Sequence, residues 1–135
     1  MDPARRITLH WVHGANDATW QLLRFQRSRH SPHAWQPSIN AYRCEKCIRI
    51  CVDLAGVEKS AIDLQIEPHR LVLRGERENP EPPVKEGEFV TTIALEIDYG
   101  PFLRSIELPV AVDATKASAV QENGFLWIDL PLKNS

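Results

Sequence analysis

Apolar and polar side chains alternate along most of the chain after residue 37. In one segment Ile48, Ile50 and Val52 share a parity, and charged or polar residues fill the positions between them. Such alternation is typical of a β-strand with one buried face, because successive side chains point to opposite faces. The same period recurs at 62–66, 71–73, 93–97, 102–108 and 126–130. The pattern predicts an all-β, antiparallel sandwich.

Turn residues separate these segments at intervals of roughly 8 to 14 residues, a spacing that suits a sandwich or a barrel. The clearest hairpin signal is Asn123-Gly124, which lies between the apolar segments 117–121 and 125–130. Both residues tolerate the positive φ angles of a type I′ turn. We therefore predict that the last two strands form a tight hairpin.

Residues 1–36 differ from the rest of the chain in charge and aromatic content, and we predict that they form a separate arm. They carry five arginines against two acids, whereas the rest of the chain carries eleven Lys and Arg against sixteen acids. Asn16 or Asp17 can cap a short helix that runs to about Arg29. We expect an aromatic-rich arm at 1–36, a folded domain at 37–132 and a short tail at 133–135.

Composition excludes several classes of function. At 135 residues the chain suits one domain, and a formal net charge of -2 gives no basic field for nucleic acid. We find neither a membrane-spanning stretch nor a signal peptide, and three cysteines do not make a disulfide framework. We therefore expect a cytoplasmic protein with no nucleic-acid or membrane partner.

Motifs for catalysis are also missing from the sequence. It contains no glycine-rich phosphate loop, no Gly-x-Ser-x-Gly elbow and no His-Glu-x-x-His. We expect no catalytic residues, no metal and no cofactor.

Arg104 breaks the alternation, since it shares the parity of Phe102 and Ile106. A guanidinium on a dry face needs a carboxylate partner, from the same chain or from a second one. Alternatively, the strand end is exposed and the side chain reaches water. The sequence leaves both readings open.

Four segments together resemble the alpha-crystallin domain of small heat-shock proteins of the bacterial type. They are LAGV at 54–57, LVLRGER at 71–77, YGPFLRSIELP at 99–109 and AVQENGFLWIDLP at 119–131. The resemblance covers about residues 37–131, in order and at family spacing. It implies an immunoglobulin-like sandwich, ATP-independent holdase activity on unfolding clients under stress, and assembly from homodimers.

The resemblance also implies a dimer contact made by strand exchange. In the bacterial and plant branch, part of a long loop enters the neighbour's sheet, and here the loop at 78–101 offers 89–95 as that strand. The implied interface residues are Phe89, Ile93, Leu95, Glu96 and Arg104, with Glu96 as the partner of Arg104. A groove for a neighbour's extension is implied at Ile62, Leu64, Ile66, Ala117 and Ala119. Because the chain stops at Ser135 without an Ile-x-Ile motif, we do not expect large cages from that contact, and the groove takes up the arm or stays open to clients.

Large apolar side chains in the arm are the predicted client-binding residues: Trp11, Val12, Trp20, Leu22, Leu23, Phe25 and Trp35. A holdase needs apolar surface that is kept from aggregating, and the acidic body supplies solubility. The alternative is that these side chains pack the oligomer.

Cysteine spacing suggests a second hypothesis, a redox- or zinc-tuned chaperone. If Glu45-Lys46 forms a two-residue turn, Cys44 and Cys47 face each other across it. His30 and His33 could complete a zinc site, although the spacing matches no standard module, and Cys51 is then left over. The alternative is three ordinary reduced thiols.

Two further readings remain open. A partner-binding module like the co-chaperone CS domain would have a related sandwich without holdase activity. Protonation of His10, His13, His30 and His33 near their ordinary pKa would give an acid-responsive arm, against the alternative of exposed imidazoles.

Overall fold

The computed structural model describes residues 5–8 and 35–134. Within these two ranges, eight strands form two antiparallel four-stranded sheets. The first sheet has the order β1 (Arg5–Thr8), β4 (Ile62–Glu67), β5 (Arg70–Arg77), β6 (Gly100–Glu107). The second has the order β2 (Ile39–Arg43), β3 (Cys47–Asp53), β8 (Phe125–Pro131), β7 (Ser118–Glu122). The predicted immunoglobulin-like sandwich is confirmed.

The core lies between the two sheets and is built from the predicted alternating positions. In the second sheet Ile50 lies opposite Ile128, and both are at most 1% exposed. In the first sheet Leu64 lies opposite Leu73, and both are fully buried. Each sheet thus turns its apolar face inward, and burial of that face stabilises the sandwich.

The predicted hairpin between β7 and β8 is confirmed. Glu122 pairs with Phe125, which leaves Asn123 and Gly124 as a two-residue loop. Both have positive φ angles, 54° and 83°. This conformation matches the twist of the flanking strands.

Gly75 on β5 marks a close approach between neighbouring elements. A Cβ atom at this position would lie 2.2 Å from the carbonyl oxygen of Ala61 and 2.5 Å from the ring of Phe102. Phe102 fills the space above the glycine and is 2% exposed. Only glycine fits here, so the sequence at this position is set by packing.

Strand β1 was not predicted from the sequence. It pairs with β4 in a register that runs from Arg5 opposite Ile66 to Thr8 opposite Asp63. The predicted helix that ends near Arg29 lies outside the described residues. In the described part of the chain, no helix has the length and apolarity needed to cross a bilayer.

Candidate dimer and client surfaces

A long loop joins β5 to β6 and contains the predicted exchange strand. It spans residues 78–99 and forms no strand in the single chain. Phe89 and Ile93 are each 98% exposed, and Leu95 is 70% exposed. Phe89 and Ile93 therefore have almost no cover, and Leu95 little, within the described part of their own chain.

Both ends of this loop meet at Arg77. Its Nε donates a hydrogen bond to the carbonyl oxygen of Asp98 at 2.9 Å, and Nη2 donates to the same oxygen. Its Nη1 donates to the carbonyl oxygen of Ala55 at 3.1 Å. The guanidinium also lies 4.2 Å from the ring centroid of Trp35, a cation–π contact. Arg77 thus ties the loop base to the sandwich.

Trp35, which is predicted in the arm as a client-binding residue, packs against the sandwich. Its backbone N–H donates to Pro101, and its carbonyl accepts from the N–H of Leu103, both at 3.2 Å. The indole N–H donates to the carbonyl of Gly100, and the ring centroid lies 5.3 Å from that of Phe102. These contacts hold the Trp35 ring in place, and its role in client binding stays a prediction.

The remaining predicted client-binding residues lie outside the described part of the chain: Trp11, Val12, Trp20, Leu22, Leu23 and Phe25. The same holds for His10, His13, His30 and His33. Their roles stay predictions.

Arg104 has neither of the two environments predicted for it within the chain. Its side chain is partly buried, and Nη1 donates to the carbonyl oxygen of Pro37 at 2.9 Å. Among the described residues it forms no ion pair, and Glu96, its predicted partner, lies exposed in the loop. Inside one chain, a backbone carbonyl thus accepts one hydrogen bond from the guanidinium, because β6 runs beside the segment that enters β2.

The predicted groove residues on β4 lie in the core instead. Ile62, Leu64 and Ile66 are at most 1% exposed, and Ala117 is also buried. Ala119 on β7 is half-buried. Strand β4 is flanked by β1 and β5, so both of its edges are occupied. These apolar side chains face the opposite sheet and do not line an open groove in this chain.

Strand β2 is a terminal strand of its sheet. Among the described strands it pairs only with β3. Its residues from Asn40 to Arg43 are exposed, and Tyr42 is 50% exposed. The strand therefore offers a row of backbone groups to a further strand.

An apolar patch on the outer face of β7 and β8 was missed by the sequence analysis. Val120 lies opposite Trp127, and these side chains are 57% and 38% exposed. Phe125, two residues before Trp127 on the same face, is 43% exposed. The available signal was the parity of Trp127, which is opposite to that of the buried Leu126 and Ile128. We call Val120, Phe125 and Trp127 the outer patch.

All three cysteines are free thiols. Cys44 and Cys47 face each other across the turn at Glu45-Lys46, and Cys44 N–H donates to the Cys47 carbonyl at 2.8 Å. Burial raises the pKa of the Cys47 thiol, and a side-chain hydrogen bond with Cys44 adds to the rise. Burial also raises the pKa of Cys51. Within the described ranges no group of three or more possible ligands could hold a metal ion.

Comparison with known proteins decides the family. The family model described as "Hsp20/alpha crystallin family" matches residues 41–135, which is more than half of the chain.

The chain belongs to the Hsp20/alpha crystallin family.

Individual relatives agree with this family. A probable 15 kDa heat shock protein of Leptospira interrogans is 30% identical over 95 residues, which cover 70% of this chain and 68% of the relative. The crystal structure of hspA from Xanthomonas axonopodis is 30% identical with a TM-score of 0.62, covering 75% of this chain and 97% of that one. Heat shock protein 16.0 from Schizosaccharomyces pombe is 28% identical with a TM-score of 0.62, covering 73% and 87%.

Membership of the Hsp20/alpha crystallin family confirms the prediction of a small heat-shock protein. It is consistent with a chaperone role, and these relatives are heat shock proteins rather than CS-domain co-chaperones. The matched segment spans 51% to 68% of the length of the first three curated relatives. The activity and partners of the whole protein are therefore addressed as proposals.

Proposed function

We propose that this protein is an ATP-independent holdase that binds unfolding proteins and acts as a strand-exchanged homodimer or a larger assembly. The observation that carries the proposal is the nearly complete exposure of Phe89 and Ile93 in the loop at 78–99. Large apolar side chains on an exposed loop favour association, since burying each one contributes about 1.5–3 kcal/mol. Family membership supports the same conclusion.

The exchange partner for this loop is the β2 edge of a second copy. Phe89, Ile93 and Leu95 share a parity, so in an extended conformation they would lie on one face. Strand β2 has an unoccupied edge among the described strands. Pairing a loop strand with this edge would satisfy backbone groups in both copies and would cover the apolar face.

Clients would bind at exposed apolar surface, and the outer patch is the candidate within the described residues. An ion pair between Arg49 and Asp129 at 3.1 Å lies on the same outer face, one row from Trp127. Residues 37–135 carry sixteen acids against eleven Lys and Arg. This excess of negative charge would keep a client complex soluble. The arm residues from Trp11 to Phe25 would add further apolar surface.

The predicted cytoplasmic location remains part of this proposal. Three free thiols suit a reducing compartment, where structural disulfides are rare.

The test is light scattering of a heat-aggregating client without ATP, with and without this protein. The mass of the protein is measured in parallel by size exclusion with multi-angle detection. We expect suppressed aggregation and a mass of at least a dimer. A monomer that gives no protection would contradict the proposal and would favour a partner-binding module.

Matched variants locate the client surface. Val120→Ser with Phe125→Ser removes apolar area from the outer patch, and Leu103→Ser is the control because it is 43% exposed on the other sheet. We expect the patch variant to need a several-fold higher concentration for equal protection, whereas the control stays unchanged. Equal protection by all three proteins would place client binding elsewhere.

A further inference from the structure

Two thiols lie opposite each other where β2 turns into β3. Arg43 pairs with Ile48, so Cys44 and Cys47 are the next opposed residues. The backbone N–H of Cys44 donates a hydrogen bond to the carbonyl oxygen of Cys47 at 2.8 Å. Residues directly opposite each other on antiparallel strands have Cα atoms about 4.5–5.5 Å apart, within the range of about 4.4–6.8 Å that a disulfide spans. The two thiols also form a side-chain hydrogen bond with each other. We propose that this pair is a reversible oxidation site, in which a peroxide converts Cys44 and Cys47 into an intramolecular disulfide.

The positions of the three cysteines favour a disulfide between Cys44 and Cys47 over one that includes Cys51. Cys44 is partly exposed and open to a small oxidant, and Cys47 is 8% exposed directly across the turn. Cys51 is equally buried, but it lies opposite Asn40 on one side and Trp127 on the other. Four residues along a strand separate Cys51 from Cys47 by about 13 Å, too far for a disulfide.

The chemistry balances with hydrogen peroxide as the oxidant. The Cys44 thiolate attacks one peroxide oxygen, so an S–O bond forms, the O–O bond breaks, and water leaves after taking up a proton. The Cys47 sulfur then attacks the sulfur of the Cys44 sulfenic acid. An S–S bond forms as the S–O bond breaks, and the hydroxide departs with the Cys47 proton as a second water. A thiol reductant reverses the reaction by exchange.

The different exposure of the two thiols assigns the attack on the peroxide to Cys44. Burial and the hydrogen bond with Cys44 raise the pKa of Cys47, which keeps that thiol protonated near neutral pH. The thiolate, rather than the thiol, is the nucleophile. The partly exposed Cys44 therefore meets the oxidant, and the covered Cys47 resolves the product.

A disulfide at this turn would fasten the end of β2 to β3. It closes a ring through Glu45 and Lys46 at the terminal strand of the second sheet. The oxidation itself requires only the geometry of this turn. It does not rest on the holdase proposal, so a protein that forms the disulfide without protecting clients would leave this inference standing.

Tryptic mapping gives a direct test on the full-length protein. Trypsin cleaves after Arg43, Lys46, Arg49 and Lys59, so each cysteine falls in a separate peptide: 44–46, 47–49 and 50–59. The protein is treated with hydrogen peroxide, its remaining thiols are alkylated in denaturant, and it is digested without reduction. We expect peptides 44–46 and 47–49 to be joined and peptide 50–59 to be alkylated. Alkylatable thiols should fall from three to one per chain.

Two cysteine variants and a non-reducing gel show which thiols form the disulfide and whether it lies within one chain. Cys51→Ser should retain the crosslink, and Cys44→Ser, at a partly exposed position, should abolish it without disturbing the core. A non-reducing gel should show no covalent dimer. The inference is overturned if 44–46 and 47–49 stay separate while Cys44 is over-oxidised, if either joins 50–59, or if the bond links two chains.

Discussion

The sandwich and the loop at 78–99 carry the same sequence pattern with opposite outcomes. Ile62 and Leu64 alternate with polar residues and are at most 1% exposed, whereas Ile93 and Leu95 follow the same period and are 98% and 70% exposed. Period two specifies that a segment can be a strand with one apolar face. It does not specify which sheet that face will cover. The difference therefore separates apolar residues that are buried within one chain from apolar residues that one chain leaves exposed.

The largest expected effect comes from Gly75 in the sandwich. Gly75→Ala places a Cβ atom against the Ala61 carbonyl and the Phe102 ring, so the sheet must shift. We expect the free energy of unfolding to fall by about 3 kcal/mol. Gly56→Ala is the control, because nothing lies within 4 Å and only its φ of +77° is unfavourable. It should cost about 1 kcal/mol, and urea denaturation measures both. Equal losses would mean that the close approach at Gly75 is not the constraint.

Substitutions in the loop at 78–99 should affect dimerisation strongly and the stability of the monomer little. Phe89→Ser with Ile93→Ser should change the unfolding free energy of a monomer by less than about 0.5 kcal/mol, because both side chains are exposed in one chain. The dimer dissociation constant should rise at least about 100-fold, since two buried apolar side chains are lost per copy. Analytical ultracentrifugation measures this constant.

Val84→Ser supplies the matched control for the loop. Val84 is 53% exposed in the same loop but lies outside 89–95. Its substitution should leave the dissociation constant within about twofold, because its burial is not part of the proposed exchange. A double variant that dimerises as well as the wild type would exclude 89–95 as the contact.

Local alternation is sufficient to predict β3, β4, β5, β6 and β8, whereas placements that depend on distant residues are not predictable from it. Ile48, Ile50 and Val52 predict β3 because the signal lies within the strand itself. Trp35 was assigned to the arm because its partners, Gly100 and Phe102, are more than sixty residues away. The sequence of β1 has two arginines and one isoleucine in its four residues, too little to show a period.

For a related reason, the interface and client-binding residues of the candidate site stay predictions. The resemblance carried interface and groove residues over from assemblies, where a neighbour supplies part of each surface. Within a single chain, Arg104 donates one hydrogen bond to the Pro37 carbonyl. It also places the β4 residues predicted for the groove in the core, namely Ile62, Leu64 and Ile66.

Arg77 contacts both the sandwich and the base of the loop at 78–99. Its replacement should lower the unfolding free energy by less than Gly75→Ala does. Arg77→Gln removes the contacts with Asp98, Ala55 and Trp35. We expect a loss of about 1 to 2 kcal/mol in unfolding free energy, because the contacts are charged but partly exposed. Amide exchange at Trp35 should also become faster. Arg70→Gln, at the other end of β5, breaks a 3.6 Å surface pair and should cost less than about 0.5 kcal/mol. Similar losses in the two variants would argue against a special role for Arg77.

The smallest effect is expected at Asp113, which caps a short turn at the edge of the sandwich. Its carboxylate accepts from the hydroxyl and the backbone N–H of Thr115, and these bonds lower its pKa. A lowered pKa in the folded state stabilises the protein above the unfolded value of about 3.9, and this contribution is lost as the pH falls through the folded value. Asp113→Ala should therefore lower the urea midpoint at neutral pH, and its difference from the wild type should narrow in acid.

Asp113→Asn is the control for this pH dependence. It keeps an acceptor oxygen without a titrating charge, so its difference from Asp113→Ala should vary less with pH. If the gap between wild type and Asp113→Ala were the same in acid as at neutral pH, the carboxylate charge would not be its source.

The stacking of Arg77 on Trp35 has a thermodynamic consequence for the whole molecule. Trp35 is the first residue of the described segment 35–134, and Arg77 also holds the base of the loop at 78–99. A ligand on the N-terminal segment that altered this stack would change the affinity of the loop for its partner. By reciprocity, dimerisation would then change the affinity for that ligand by the same factor. If the chain acts as proposed, the contact between Arg77 and Trp35 would therefore couple the loop interface to binding at the N-terminal segment.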